Sequence, residues 1–370
     1  MNNDVCLIVE GSYPYLTGGV SAWVDGLVRG LDDVRFTVAH LRDDGTAAPV
    51  YRVPDNVSVV DVGPGEALPD ASAYHALSTG AVGVAGARTA AERGAPFLLT
   101  EHGLAAREAA LGIVGCKPGR RPPTADPLEL RADAAEVAAQ AREAYAAADA
   151  IVTVCDFNAR AQVRAGAPRE RVRIIPNPAP PTEATPRERG TFRVGFVGRV
   201  VPVKDLATFL RAAATVAAVR PGSEFVVVGP TDHDPDYVER CRRLAAELEI
   251  GPQVTFTGEA DPGAWYPRLD VVALTSVSEA QPLVLLEAMA AGRPVVTTAV
   301  GGCADLVADA GYIIPPRDPS AAARALLALA ADPGLRRRLG AAGRERARSQ
   351  HAPAAFVRSY RRLYEEALGT

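Results

Sequence analysis

The chain has 370 residues, of which 48% are hydrophobic and 23% charged, and its formal net charge at pH 7 is −4. This length predicts two domains with separate cores, and the mildly negative charge excludes the basic footprint of a nucleic-acid-binding protein. Because the opening stretch lacks the regions of a signal peptide and no run approaches the roughly 20 apolar residues of a membrane span, we expect a cytoplasmic protein.

The first predicted strand, 5–9, is a continuous apolar run, which is typical of a parallel strand buried on both faces. It leads through a loop with Gly18 and Gly19 into a predicted amphipathic helix. The apolar side chains of that helix recur at intervals of three and four residues: Val20, Trp23, Val24, Leu27, Val28 and Leu31. The start of such a helix attracts anions. The glycine pair therefore predicts either a phosphate contact or only a tight turn.

Apolar runs alternate with alanine-rich helical stretches along the whole chain. In the first half the predicted strands are 5–9, 36–40, 57–62, 96–100, 150–154 and 172–175. In the second half they are 192–198, 224–229, 253–258, 270–276, 294–301 and 311–316. Alternation of this kind is typical of βαβ units, so we predict an α/β fold of two doubly wound, Rossmann-like domains. The cleft between such domains, at the carboxyl ends of both sheets, is the expected binding place.

A proline-rich stretch separates the two predicted domains. We assign residues 1–180 to the first domain, 181–190 to the linker and 191–350 to the second domain. Residues 351–370 carry an apolar helical stripe with no sequential neighbour left to cover it. We therefore expect this last helix to pack back on the first domain.

The most informative stretch is 276–302. Pro282 fits the first turn of a helix and Gly292 fits its C-terminal cap. This places Glu279 in the loop before the helix and Glu287 inside a short, mostly apolar helix. A carboxylate in that setting needs a partner, and a pair of hydroxyls is one that fits. The alternative is an exposed helix glutamate.

A second stretch, 194–205, places Arg199 at the tip of a predicted strand and Lys204 near the start of a helix. Two cations beside a helix N-terminus suit a diphosphate, although they could also be surface charges. No D-x-D triplet lies near these stretches. The five cysteines are odd in number and lack C-x-x-C spacing, which predicts reduced thiols and no structural zinc.

Together these stretches resemble the retaining glycosyltransferases of family 4, which have the GT-B fold. The matching positions are the E-x7-E pair Glu279 and Glu287, the phosphate pair Arg199 and Lys204, the stretch Ile175-Pro176-Asn177, and Gly18-Gly19. The first half is similar to the glycosyltransferase of the Pel exopolysaccharide system and its relatives. It departs from that enzyme in being shorter and in reading LAARE after Gly103, where an aromatic is usual.

The resemblance implies a hexosyltransferase that moves a sugar from a nucleotide diphosphate, by default a UDP-sugar, to a hydroxyl acceptor with retention. It implies an acceptor-binding first domain, a nucleotide-sugar-binding second domain, and no metal or other cofactor. The implied catalytic residues are Glu279, His102, Arg199 and Lys204. The implied donor contacts are Gly18, Gly19, Arg199, Lys204, Ala280, Gln281, Pro282, Leu283 and Glu287. Asn177 could line the cleft or turn the chain.

A further set either forms the acceptor side or buttresses the N-terminal loops: His75, Thr79, Glu101, Arg107 and Glu108. Two rival functions are a nucleotide-sugar epimerase or hydrolase on the same fold and a non-catalytic subunit of a polysaccharide synthase complex. A dinucleotide dehydrogenase fits less well, because the first loop lacks G-x-G-x-x-G. The sequence leaves open the sugar, the base, the acceptor, the oligomeric state and any docking to a membrane polysaccharide complex.

Overall fold

The computed structural model describes residues 4–41, 48–63, 65–111, 127–180, 182 and 190–369. Cys116 and nearly all of the predicted linker 181–190 lie outside the described residues. The described chain divides into two compact units. Unit 1 contains the residues up to 111, 127–177 and 353–369, and unit 2 contains residues from 178 to 352.

Unit 1 is built on a parallel sheet of seven described strands in the order β3-β2-β1-β4-β5-β6-β7. The strands are β1 (Asp4–Glu10), β2 (Arg35–Leu41), β3 (Val57–Val62), β4 (Ala73–Ala76), β5 (Phe97–Glu101), β6 (Ala150–Thr153) and β7 (Val172–Ile174). The helices between them are α1 (Gly19–Gly30), α2 (Ala81–Arg93), α3 (Ala105–Ala110), α4 (Pro127–Ala147) and α5 (Asp156–Arg164). The predicted amphipathic helix is confirmed as α1, whose buried residues include Trp23, Val24, Leu27 and Val28.

The sequence prediction missed β4, which lies at the centre of this sheet. Val5 of β1 pairs with Ala73 on one side of β4, and Phe97 of β5 pairs with Tyr74 on the other. Its four residues, AYHA, are too few for a recognisable periodicity and include a histidine. All four are buried, so burial on both faces rather than local propensity makes this segment a strand.

Unit 2 contains a parallel sheet of six described strands in the order β10-β9-β8-β11-β12-β13. All six correspond to predicted strands: β8 (Arg193–Val197), β9 (Glu224–Val228), β10 (Val254–Phe256), β11 (Val271–Leu274), β12 (Val295–Thr298) and β13 (Gly311–Ile314). The helices are α6 (Leu206–Val219), α7 (Pro235–Glu247), α8 (Pro262–Trp265), α9 (Leu283–Ala290), α10 (Cys303–Val307), α11 (Pro319–Ala331) and α12 (Pro333–Gln350). Four of them begin with an aspartate cap followed by proline, a combination that starts helices: α7, α8, α11 and α12.

The last helix, α13 (Pro353–Leu368), belongs to unit 1 although the chain reaches it only after unit 2. Its aromatic side chains Phe356 and Tyr360 pack against Trp23 of α1, with ring centroids 5.6 and 5.1 Å away. The apolar stripe that had no sequential neighbour is thereby covered. Among the helices that the structure describes, none combines the length and the apolar character that a membrane span requires.

Candidate active site

The strand order of unit 2 reverses at β8. Strands β9 and β10 lie on one side of it, and β11 to β13 lie on the other. Ligands of open α/β sheets bind at such a switch point, in the crevice at the carboxyl ends of the strands. The segment after β8 carries Arg199 and Lys204, and the segment after β11 carries Glu279. The predicted phosphate-binding cations and the predicted sugar-binding carboxylate therefore follow the two strands at the switch point.

Lys204 and Glu279 are in direct contact. Nζ of Lys204 donates a hydrogen bond to Oε1 of Glu279 at 2.5 Å, and the two side chains are only 17% and 10% exposed. Oγ of Ser276 donates to the same oxygen at 2.6 Å. A shielded carboxylate needs such donors, because loss of solvent disfavours its charge. Two residues that the sequence assigned to one donor site thus meet in the folded chain.

The segment that carries Lys204 is held by the end of β11. Oγ1 of Thr275 donates to the carbonyl oxygen of Asp205 at 2.9 Å. Asp205 has a φ of 45° and caps α6, accepting hydrogen bonds from the backbone N–H and the hydroxyl of Thr208. Lys204 therefore ends a short 3-10 turn, Pro202–Lys204, directly before the N-terminus of α6. A helix start of this kind adds its own attraction for an anion.

Arg199 follows β8 at a place where two strand ends come unusually close. Gly198 has a φ of 137°, and a Cβ on Gly229 would lie 2.2 Å from the carbonyl oxygen of Gly198. Only glycine allows this approach. The Arg199 side chain is half-buried and forms no hydrogen bond or ion pair with the residues that the structure describes. Its guanidinium is available to an anion.

The loop that carries Glu279 is braced by the turn after β12. Gly301 has a φ of 55°, and a Cβ there would lie 1.8 Å from the carbonyl oxygen of Glu279. The next residue, Gly302, donates its N–H to the carbonyl oxygen of Ala280 at 2.7 Å. The backbone of the Glu279 loop is therefore fixed by a neighbouring turn that tolerates no side chain at position 301.

The predicted helix in 276–302 is confirmed as α9. Pro282 is its N-cap, and Gly292, with a φ of 69°, follows its end. The remaining predicted donor contacts lie at its start: Ala280, Gln281 and Pro282 are buried, and Leu283 is half-buried.

Glu287 lies in α9 and is half-buried. The hydroxyl of Tyr266 donates to its Oε2 at 2.6 Å. Burial raises the pKa of Glu287, whereas the Tyr266 hydrogen bond opposes that rise. The expectation that this carboxylate has a partner is met in part by a phenol of the chain itself.

In unit 1 the strand order reverses between β1 and β4, and the loop after β1 carries Gly18 and Gly19. Gly18 has a φ of 164°, which is extended backbone open to any residue, and a Cβ there would meet nothing within 4 Å among the described atoms. A tight turn therefore does not explain glycine at position 18. Because Gly18 has no side chain, the first N–H groups of α1 receive no side-chain cap from this position.

His102 follows β5 and is half-buried. Its ring packs edge-on against Trp23 with centroids 4.7 Å apart. Its Nε2 is buried and has no hydrogen-bond partner in the described part of the chain. Burial lowers the pKa of His102 to about 4, so the ring is neutral near pH 7. A neutral imidazole can donate or accept a hydrogen bond, as contact with a sugar hydroxyl requires.

The contacts of His75 favour the buttressing alternative over an acceptor role. This residue lies in β4 and is fully buried, with Nδ1 2.8 Å from the Tyr364 hydroxyl and Nε2 2.7 Å from Oγ1 of Thr100. Burial, together with the nearby His102, lowers its pKa to about 3. Because both ring nitrogens are already bonded inside unit 1, His75 joins β4 and β5 to α13 rather than meeting a ligand.

Thr79 and Glu101 are likewise interior, so the buttressing alternative holds for them as well. Both are buried, and Glu101 accepts hydrogen bonds from Thr79 at 3.1 Å, Tyr145 at 2.5 Å and Gln162 at 2.9 Å. Burial raises the pKa of Glu101, and the three hydrogen bonds oppose that rise. The carboxylate ties β5, α4, α5 and the segment after β4 together beneath the segment that carries His102.

Arg107 and Glu108 lie in α3 and are half-buried. The Arg107 guanidinium lies 4.9 Å from the ring centroid of Phe157. An acceptor role for these two residues stays a prediction. Asn177, beyond β7, is buried.

Comparison with known proteins identifies the family. Residues 191–332 match the family profile described as glycosyl transferases group 1. The chain is 32% identical to the D-inositol 3-phosphate glycosyltransferase of Acidothermus cellulolyticus, over 87% of this chain and 80% of that protein. The chain belongs to the group 1 glycosyltransferases. Residues 3–64 and 64–170 match a domain of unknown function, DUF3492, so the family assignment of the first half rests on the relative from Acidothermus.

Solved structures place this group 1 glycosyltransferase among proteins of the GT-B fold, which confirms the predicted fold class. The sucrose-phosphate synthase of Thermosynechococcus elongatus superimposes with a TM-score of 0.82 at 21% identity, over 99% of both chains. Anabaena HepE in complex with UDP-glucose superimposes with a TM-score of 0.75 at 16% identity, over 98% and 99% of the two chains. Matches to other D-inositol 3-phosphate glycosyltransferases cover 35–49% of those proteins, so there the matched part of this chain spans less than half of their length.

Sequence reasoning missed four residues that shape the site of this group 1 glycosyltransferase: Ser276, Thr275, Tyr266 and Gly301. A serine three positions before Glu279 was the one usable local signal. The contacts of Thr275 and Tyr266 join residues 70 and 21 positions apart, and no periodicity encodes such pairs. Gly301 is visible in the sequence as half of a glycine pair. Only the folded chain shows that a side chain at this position would clash with the backbone of Glu279.

Proposed function

We propose that this protein is a retaining glycosyltransferase that moves a sugar from a nucleotide diphosphate donor, with a UDP-sugar as the first candidate, to a hydroxyl acceptor. The observation that supports it most directly is the contact of Lys204 with Glu279 at the switch point of unit 2. It joins a phosphate-binding cation to a carboxylate suited to sugar hydroxyls. Membership of the group 1 glycosyltransferases supports the same assignment.

Lys204 and Arg199 are the proposed partners of the donor diphosphate. Cleavage of the anomeric C–O bond leaves negative charge on the diphosphate, and two cations beside the start of α6 stabilise that charge. In the free protein Lys204 is held by Glu279. On donor binding, the diphosphate takes over Lys204, and the released Glu279 carboxylate turns to the hydroxyls of the sugar.

Glu287 is the proposed acceptor of hydrogen bonds from the ribose. Its carboxylate is half-buried in α9, and one of its oxygens is engaged by Tyr266. The two neighbouring hydroxyls of a ribose can donate hydrogen bonds to a carboxylate without bringing another charge into the site. His102 is the proposed partner of a donor-sugar hydroxyl by family resemblance. Its Nε2 has no partner among the described residues but is enclosed, so this contact requires its cover to move on donor binding.

Retention is proposed to follow a front-face route. The bond from the acceptor oxygen to the anomeric carbon forms on the face from which the phosphate oxygen departs, and that departing oxygen takes the acceptor proton. Charge stabilisation comes from Lys204, Arg199 and the start of α6, so we propose a reaction that needs no divalent metal.

The acceptor is proposed only as a hydroxyl compound. The relative from Acidothermus is named for inositol 3-phosphate, and HepE was crystallised with UDP-glucose, which makes a cyclic polyol and UDP-glucose the first acceptor and donor to test. The resemblance of the first half to the Pel glycosyltransferase adds polysaccharide acceptors, and docking to a membrane complex stays a prediction. Neither the contacts nor the comparisons favour the epimerase or scaffold alternatives.

A thermal-shift panel of nucleoside diphosphates and nucleotide sugars tests the donor. A ligand at 100 times its dissociation constant adds about 2.7 kcal/mol to the free energy of unfolding. We expect uridine nucleotides to raise the melting temperature of the wild type and to raise that of Lys204→Ala much less. Proton NMR of the transfer product then gives the anomeric configuration. An absence of stabilisation by every nucleotide would refute the proposal, and an inverted product would refute retention.

A further inference from the structure

The two carboxylate oxygens of Glu287 have different surroundings. Oε2 accepts the Tyr266 hydroxyl at 2.6 Å, whereas Oε1 makes no hydrogen bond with any residue in the described part of the chain. The side chain is half-buried and Oε1 is not among the enclosed polar atoms, so a ligand can reach it.

Tyr266 is itself held firmly. It is 2% exposed and begins the 3-10 turn Tyr266–Arg268, which follows α8 directly. Asp261 caps α8 by accepting the N–H of Gly263 at 2.9 Å. The only other acceptor near the Tyr266 hydroxyl within the described chain is the carbonyl oxygen of Val284, at 3.5 Å. A hydroxyl has one proton, so the 2.6 Å contact commits it to Glu287.

Burial and the neighbouring Glu287 raise the pKa of Tyr266 well above its ordinary value. The phenol therefore keeps its proton throughout the working pH range and acts only as a donor toward the carboxylate. Burial and Asp261 both raise the pKa of Glu287, and the Tyr266 hydrogen bond is the influence that opposes them. Tyr266 thus favours a charged carboxylate with a fixed orientation.

We infer that Tyr266 is a positioning residue that holds Oε2 of Glu287 and thereby presents Oε1 to the ribose hydroxyls of the donor. The inference deepens the proposed function and rests on a nucleotide-sugar donor. It assigns selection of a ribonucleotide over a deoxyribonucleotide to the Tyr266–Glu287 pair. Without the phenol the carboxylate is free to rotate and easier to protonate, and the ribose loses a fixed acceptor.

The test compares UDP with 2′,3′-dideoxyuridine diphosphate by calorimetry on the wild type and on Tyr266→Phe. The wild type should prefer UDP by at least about tenfold, since hydrogen bonds to a charged acceptor are among the stronger ones. Tyr266→Phe should lower this preference to below about threefold, with an unchanged affinity for the dideoxy compound. A residue that only packs would leave the ratio of the two affinities unchanged.

Tyr237→Phe is the matched control. It removes another mostly buried hydroxyl of unit 2, one that is hydrogen-bonded to Cys241 in a different part of the core. It should keep the wild-type preference for UDP. In a Glu287→Gln background, Tyr266→Phe should change the preference no further, and melting curves report whether each variant is folded.

The outcomes separate the inference from the proposed function. If the wild type prefers UDP and Tyr266→Phe retains that preference, the positioning role is wrong and the donor assignment stands. The positioning role is also wrong if the wild type binds both compounds equally well, because the ribose is then not recognised. If no nucleoside diphosphate binds the wild type, the proposed function fails and this inference fails with it.

Discussion

Gly301 offers the sharpest test of how the Glu279 loop is built. A Cβ at this position would lie 1.8 Å from the carbonyl oxygen of Glu279, and real Cβ atoms essentially never approach another heavy atom within 3.0 Å. In Gly301→Ala, one of the two backbones therefore has to withdraw by more than about 1 Å. The φ of 55° adds a strain of about 1 kcal/mol for any residue with a Cβ.

These two effects give the expected size of the change. Overpacking of a close contact costs about 1–3 kcal/mol, so Gly301→Ala should lose about 2–4 kcal/mol of unfolding free energy in all. Misplacing a site residue by about 1 Å can lower the rate about 100-fold. We therefore expect a fall of that order in kcat/KM, measured with the nucleotide sugar that the binding panel selects.

Gly292→Ala is the matched control. Gly292 has a similar φ of 69°, but its added Cβ would meet only the carbonyl oxygen of Gly340, at 3.9 Å, among the described atoms. Gly292→Ala should introduce the backbone strain but no steric clash. We expect a loss of about 1 kcal/mol of unfolding free energy and a nearly normal kcat/KM. Urea unfolding of both variants separates the two contributions. If Gly301→Ala matched Gly292→Ala in both stability and kcat/KM, the bracing of Glu279 by this turn would be refuted.

Four other expectations follow from the same contacts. Lys204→Ala and Arg199→Ala should each lose about 2–4 kcal/mol of transition-state stabilisation with an unchanged circular dichroism spectrum, and near-normal rates would refute the phosphate assignment. Activity should survive EDTA; complete loss restored by Mg²⁺ would contradict the metal-free proposal. Gly19→Val should weaken UDP binding in calorimetry with a nearly normal melt, whereas a lower melting temperature with unchanged affinity would favour a mere turn. His75 should contribute a fall in stability of about 3–5 kcal/mol as the pH drops from 6.5 toward 3, because its native pKa is about 3 against 6.5 when unfolded. A stability profile as steep in His75→Asn as in the wild type would contradict this.

The elements of unit 2 could be predicted because its signals are local. Most of its strands are rich in apolar residues, and Pro282 and Gly292 bound α9 by the conformations that they favour. Glu279 and Lys204 were assigned to one site by the resemblance to the family 4 glycosyltransferases, and the loops after parallel strands do meet at one edge of the sheet.

The interior of unit 1 could not be predicted in the same way. In sequence, His75 is equally consistent with an acceptor side and with a buttress of the N-terminal loops, since its partners are not visible there. Its partners are Thr100 and Tyr364, and Tyr364 lies 289 residues further along the chain. Glu101 was ambiguous for the same reason, because its three donors come from separate elements. Burial of a polar side chain depends on contacts between distant segments, which local patterns do not report.

The return of α13 to unit 1 has a consequence for biosynthesis. The described residues of unit 2 all lie between residues 178 and 352, so this unit can fold as soon as that stretch leaves the ribosome. Unit 1 begins earlier but is completed later, because Tyr360, Tyr364 and the cover over Trp23 are translated after all of unit 2. Until then the half that was made first exposes apolar surface that chaperones and proteases recognise. A nonsense mutation at codon 353 would therefore yield a folded second unit attached to an unfinished first one.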